Sequence, residues 1–202
     1  MYCSWVKPNA AVVNTILDTL TQAAFTYPEV GASRLGGQHQ DTLSRHYHVL
    51  HRRYLLGTGE TVYQQAKAAF ARWQMYQLPW VAFCWPEIPL VPDTNMVILA
   101  NVLGLWWINV CRVVYTMQEE GAVERFGFAV GSLQGNTIRG EERVFVEWNR
   151  RDDAVYYDFF SFSKANLLVT KLSGGYLRIL QERFARESAQ VIHDMANGRR
   201  KD

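Results

Sequence analysis

A chain of 202 residues, 49% hydrophobic and 20% charged, is long enough to bury a sizeable core and too apolar to be disordered. Its formal net charge of +2 gives no footing for nucleic-acid binding, and the basic cluster Arg199-Arg200-Lys201 reads as part of a disordered tail over 198–202. Three cysteines (Cys3, Cys84 and Cys111), far apart and without a Cys-x-x-Cys spacing, speak against a disulfide framework or structural zinc and fit a reducing compartment.

In chain order, Asn9 is placed to cap a first helix whose apolar stripe is Val13, Ile16, Leu17, Leu20 and Ala24. Lys7, Pro8, Asn9, Asn14 and Asp18 interrupt any signal-peptide core there. An N-terminal helical extension over 1–25 is expected, followed by one domain over 26–197. Residues 36–41 read as an open loop, and a strand follows at 46–56. Thr58 can cap the next helix, which has Glu60 near its start and Val62, Ala66, Ala69, Phe70, Trp73 and Tyr76 as its buried stripe. Pro79 and Pro86 lead into a bent aromatic connector.

After Pro92 come five runs rich in β-branched and aromatic residues, at 96–101, 105–117, 122–132, 138–149 and 154–163. The short turns between them imply antiparallel neighbours. Met96 to Val110 is the most apolar stretch, but it is shorter than the roughly 20 residues of a membrane helix and contains Asn101, Gly104 and Asn109. A cytoplasmic protein with no membrane span is expected. After Ser173-Gly174-Gly175, Leu177, Leu180, Phe184, Val191 and Met195 recur at helical spacing and mark a long amphipathic helix. This order gives an α+β class. By analogy, it is the START-like helix-grip arrangement, a curved antiparallel sheet wrapped around a long C-terminal helix with a cavity between.

Several segments resemble the UPF0548 family, also known as DUF1990. They are TYPEVGAS at 26–33, LGTGE at 56–60, FARWQMYQLPW at 70–80, CRVVY at 111–115, FGFAVGSLQGN at 126–136, GEERVFVE at 140–147 and FSFSKA at 160–165. In that family's pattern a Tyr is common where Val130 stands, Thr where Ser132 stands, His where Asn136 stands and Pro where Ala165 stands. Acid–base chemistry through that His would be lost here. The resemblance implies a START-like helix-grip domain without an established activity, and it carries over no catalytic residues.

Among the polar candidates, Glu141 and Glu142 adjoin on one strand, so only one can face a cavity. Glu142 shares its face with Val144, Val146 and Trp148 and is the expected inward carboxylate. Glu141, beside Arg143 and Glu147, is expected in solvent. An inward carboxylate can act as acid or base, or it can be an ion pair with Arg112 or Arg143. Arg112 and Asp158 lie in apolar stripes, to bind a ligand or to pair with each other. Tyr115 and Tyr157 can present hydroxyls to a cavity. His46 and His48 share a strand face, with His51 opposite, but without a third ligand no metal site is assigned. Gly57-Thr58-Gly59 reads as a tight turn rather than a phosphate loop, since it lacks both nucleotide fingerprints. Cys111 reads as a small core residue.

The leading functional expectation is binding of a small hydrophobic ligand between the C-terminal helix and the sheet. Trp107, Tyr115, Phe128, Tyr157, Leu177 and Phe184 would line the site, with Arg112, Glu142 and Asp158 at its polar end. The alternatives are a lyase, cyclase or hydrolase using Glu142 or Asp158 with Tyr115 assisting, or a protein-interaction module presenting Trp80, Phe83 and Trp85. No cofactor is assigned, and the oligomeric state is open.

Overall fold

The computed structural model describes residues 3–20, 22–84, 88–166 and 174–199. Trp85, Pro86, Ser173 and the Arg200-Lys201 end of the basic cluster lie outside them. Strand β1 is Cys3–Ser4, β2 His48–Thr58, β3 Val81–Phe83, β4 Asn95–Val102, β5 Leu105–Glu119, β6 Val123–Ser132, β7 Ile138–Asn149 and β8 Ala154–Ala165. The helices are α1 (Ala10–Thr19), α2 (Gln40–Ser44), α3 (Glu60–Ala71) and α4 (Gly174–Ala196).

The strands form one antiparallel sheet in the order β2-β8-β7-β6-β5-β4-β3. β6 covers only residues 111–119 of the long β5, and β1 pairs with Trp106 and Trp107 on the edge left free. Helix α4 lies against the inner face. Its second half packs small side chains, Ala185, Ala189 and Ala196 with Ile192, into the same core as Val144, Tyr157 and Phe159. Small residues let the helix approach the sheet closely. This is the curved sheet and C-terminal helix expected from the element order.

Asn9 caps α1, its side chain accepting from the Val12 amide at 3.1 Å, as expected. Other local expectations are corrected. Thr58 does not cap α3. It ends β2, and Gly59 (φ 91°) takes the cap position without a side-chain bond. Residues 36–41 are not an open loop but 3₁₀ turns over Ala32–His39, kinked at Gly36, running into α2. Helix α3 stops at Ala71, because Trp73 adopts a left-handed conformation (φ 58°). That reversal drives the Trp73 ring into the core, stacked 5.1 Å from Phe83 and edge-on at 4.8 Å to Phe128. Burial of so large a ring outweighs the roughly 1–3 kcal/mol that the strained backbone costs.

Both faces of the sheet are buried. On the outer face α1 lays Val13, Ile16 and Leu20 over Val97, Leu99, Ile108 and Val110. Beside it, residues 25–47 lay Tyr27, Leu43 and Tyr47 over Phe160 and Phe162. Gly140 opens the GEER stretch at φ 144°, and a Cβ there would meet the Phe162 carbonyl oxygen at 2.0 Å. Gly140→Ala is therefore expected to cost about 2–4 kcal/mol in urea unfolding. A change under about 0.5 kcal/mol would show that the strand can yield.

Candidate ligand cavity and the two strand glutamates

A cavity of about 450 Å³ lies under the first half of α4. Tyr176, Leu177, Leu180, Gln181 and Phe184 come from the helix, Ile98, Ala100, Leu105, Trp107 and Asn109 from β4 and β5, and Tyr76 and Trp80 close one side. The two halves of α4 thus differ in side-chain size. Alanines seat the C-terminal half, while larger side chains border the cavity under the N-terminal half. A smaller cleft of about 210 Å³ is lined by residues of 7–13 with Cys84 and Leu99, and Lys7 is the charged residue on its wall among the described residues.

Of the expected lining residues, Trp107, Leu177 and Phe184 border the cavity. Phe128 and Tyr157 face the same side but are fully buried in the core, Tyr157 sharing a 2.9 Å hydrogen bond with Ser188 of α4. Tyr76, Trp80, Leu180 and Gln181 belong to the wall but were not legible as such. Only the turn at Trp73 brings the 74–80 segment under the helix.

Glu142 faces inward, as the strand alternation predicts. The carboxyl is half-buried, accepts from the Tyr76 hydroxyl at 3.3 Å, and is pushed up to about 7 by loss of solvent, which that hydrogen bond only partly offsets. No arginine pairs with it among the described residues. Glu142 is not among the described residues that border the cavity, whereas its hydrogen-bond partner Tyr76 is. Burial, with the carboxyl of Glu142 nearby, pushes the Cys111 thiol up to about 12, consistent with its place in the core.

Arg112, Tyr115 and Asp158 stand on the outer face, away from the cavity. Arg112 donates to Asn95 Oδ1 at 2.8 Å and to the Leu20 carbonyl at 3.1 Å, and so pins the end of α1 instead of pairing with Asp158. Asp158 accepts from Arg143 at 2.6 Å and meets His51 Nε2 at 2.9 Å. Those contacts hold its carboxyl below the ordinary range although burial opposes them. Tyr115 is turned outward by a bulge between Val113 and Tyr115.

Glu141 is not in solvent. It is 2% exposed and accepts from the Tyr27 hydroxyl (2.7 Å), the Gly31 amide (2.8 Å), the Ser33 amide (3.1 Å) and the Ser33 hydroxyl. Because Ser33 gives its proton to Glu141, Tyr115 donates to Ser33 Oγ at 2.8 Å. Arg143 donates to the Ser33 carbonyl at 2.9 Å and lies over the Phe145 ring. This network clasps the 27–36 segment to the sheet. Its groups are hydrogen-bonded to one another except Arg143 Nε, which is buried without a partner among the described residues.

In the described part of the aromatic connector the expected exposed patch is not seen at Phe83, and Trp80 is half-buried. Phe83 is buried against Trp73 and Tyr76, and Trp80 donates its indole N–H to Glu187 at 2.6 Å. Trp85 is outside the described residues. Among the described residues no group of three or more His, Cys, Asp or Glu is arranged to hold a metal, and no helix is long and apolar enough to cross a membrane.

In comparisons with known proteins, the chain is 32% identical to a UPF0548 protein of Deinococcus radiodurans over 198 residues, covering 92% of this chain and 94% of the relative. It is also 32% identical to a UPF0548 protein of Dictyostelium discoideum over 146 residues, covering 68% and 67%. Among solved structures it is similar to Ara h 8.0201, with a TM-score of 0.48, 8% identity, and coverage of 75% of this chain and 99% of that one. The model of the "Domain of unknown function (DUF1990)" matches residues 26–191, and with those relatives it establishes that the chain belongs to the DUF1990 family.

Proposed function

We propose that the chain binds a small hydrophobic molecule in the cavity between α4 and the β3–β5 edge of the sheet. The observation that carries this reading is the cavity itself, about 450 Å³ and walled by Leu177, Leu180, Phe184, Ile98, Trp107 and Tyr76. That volume falls within the roughly 300–1,000 Å³ of small-molecule sites, and apolar burial would supply the affinity. An acid–base role for Glu142 is less well supported, since Glu142 is not among the described residues that border the cavity and its hydrogen bond goes to Tyr76.

Native mass spectrometry and thermal unfolding with a panel of lipids, isoprenoids and polyketides test the proposal. A ligand at 100 times its Kd should stabilise by about 2.7 kcal/mol, which for a chain of this size raises Tm by roughly 5–10 °C. Ala100→Leu, which fills the wall, should abolish the shift and leave the unliganded fold intact. A panel with no binder, or a shift that survives Ala100→Leu, would sink the reading.

A further inference from the structure

The cavity wall reaches the surface where three segments meet. Trp5 just beyond β1, Leu103 in the β4–β5 turn and Tyr176 in the first turn of α4 all border the cavity, yet they are 80%, 84% and 40% exposed. Ile179, one turn along α4 from Tyr176, is exposed as well. The turn carries the sharper clue. Val102 pairs with Leu105, so Leu103 and Gly104 form a two-residue hairpin loop, and both have positive φ, 54° and 78°. Such a loop favours Asn-Gly, because a bulky side chain is strained in the left-handed region. At Trp73 the same strain is offset by burying the ring. Leu103 stays in solvent, so folding offers it no such offset.

The rim stretches 3–9, 101–105 and 174–181 contain Lys7 and Arg178, both exposed, and no Asp or Glu. The next carboxylate along α4, Glu182, is paired with Arg52. Exposed Trp, Tyr, Leu and Ile side chains flanked by cations suit a membrane surface. The rings and aliphatic chains enter the headgroup region, and the cations meet anionic lipids. We infer that this rim docks on an anionic lipid surface, with the mouth of the cavity against the bilayer. That the bilayer supplies the cavity's hydrophobic ligand rests on the binding proposed above.

Co-sedimentation of the full chain with phosphatidylcholine vesicles, with and without about 30% phosphatidylserine, tests the docking. The mixed vesicles are expected to bind about tenfold more tightly than the neutral ones, and Lys7→Gln to lose about fivefold on the mixed ones. Leu103→Asn should weaken binding about tenfold, yet leave the urea midpoint unchanged or raise it, since Asn suits the left-handed turn. A merely structural Leu103 would give the opposite pair of results. Trp5→Ala should weaken binding by a similar factor. Absence of binding, equal binding to both vesicles, or binding that Leu103→Asn and Trp5→Ala leave unchanged would overturn the inference. So would self-association in sedimentation that Leu103→Asn abolishes, since the rim would then join two copies of the chain. A chain that ignores vesicles but is stabilised by a ligand of the panel loses the docking and keeps the cavity reading. Vesicle binding by a chain that no ligand stabilises does the reverse.

Discussion

Replacing Arg143 by Met is expected to lower the unfolding free energy by about 3–5 kcal/mol, among the largest effects of any single substitution outside the apolar core. The side chains of Arg143 and Asp158 are only 7% and 9% exposed and meet at 2.6 Å. Removing the guanidinium leaves Asp158 with His51 alone, takes a donor from the Ser33 carbonyl and empties the space over Phe145. Most of the cost is the desolvation of an uncompensated charge, so it should be little changed by salt. The double variant Arg143→Met/Asp158→Leu should recover most of the loss, because two apolar side chains need no partner. Urea denaturation of the two single variants and the double variant is the measurement. A cost below about 1 kcal/mol for Arg143→Met would mean that water reaches the pair and that the outer clasp is loose.

The second large effect is on pH dependence. Between about pH 4.5 and 7, the folded chain keeps the Glu142 proton that the unfolded chain has released, so stability falls as pH rises through that window and levels off above it. The drop is about 3 kcal/mol, the cost of ionising a carboxyl held at about 7 against an ordinary 4.5. Neighbouring Tyr76 and Cys111 are raised above 10 and do not titrate there. His48 works in the opposite sense. Burial holds it below its ordinary 6.5, so its contribution to stability grows as pH rises. The diagnostic is therefore the difference between wild type and Glu142→Gln, which keeps the shape and an acceptor for Tyr76 but cannot ionise. The variant should match the wild type near pH 4.5 and exceed it by about 3 kcal/mol at pH 8. Parallel stability curves for the two proteins would refute the reluctant carboxyl.

Much of this architecture was readable in the chain. The five β runs after Pro92, the turns between them and the C-terminal helix all appear where the pattern puts them. Alternation along β7 also turned Glu142 inward, correctly. Alternation failed for Tyr115, because the bulge after Val113 inserts one residue and flips every side chain beyond it. It misled for Arg112 and Asp158 for a different reason. Apolar residues sit on both faces of β5 and β8, so an apolar neighbourhood does not say which face a charge occupies. The near-continuous run Tyr156-Tyr157-Asp158-Phe159-Phe160-Ser161-Phe162 was itself a sign of a sheet covered on both sides.

Glu141 shows where local reading ends. Along β7 it alternates with inward residues and carries a charge, so solvent is the default expectation. Its burial depends on Tyr27, Gly31 and Ser33, more than 100 residues earlier, being folded back over the outer face. In the same way, the cavity wall depends on the left-handed turn at Trp73 and on where α4 changes from large side chains to alanines over the sheet. Short-range spacing sets which residues form a strand or helix and which side each one takes, because those follow from backbone periods of 2 and 3.6. What covers each side, and therefore which charges are buried, which are paired and where space is left for a ligand, follows from contacts between segments distant in sequence, and no local period encodes those.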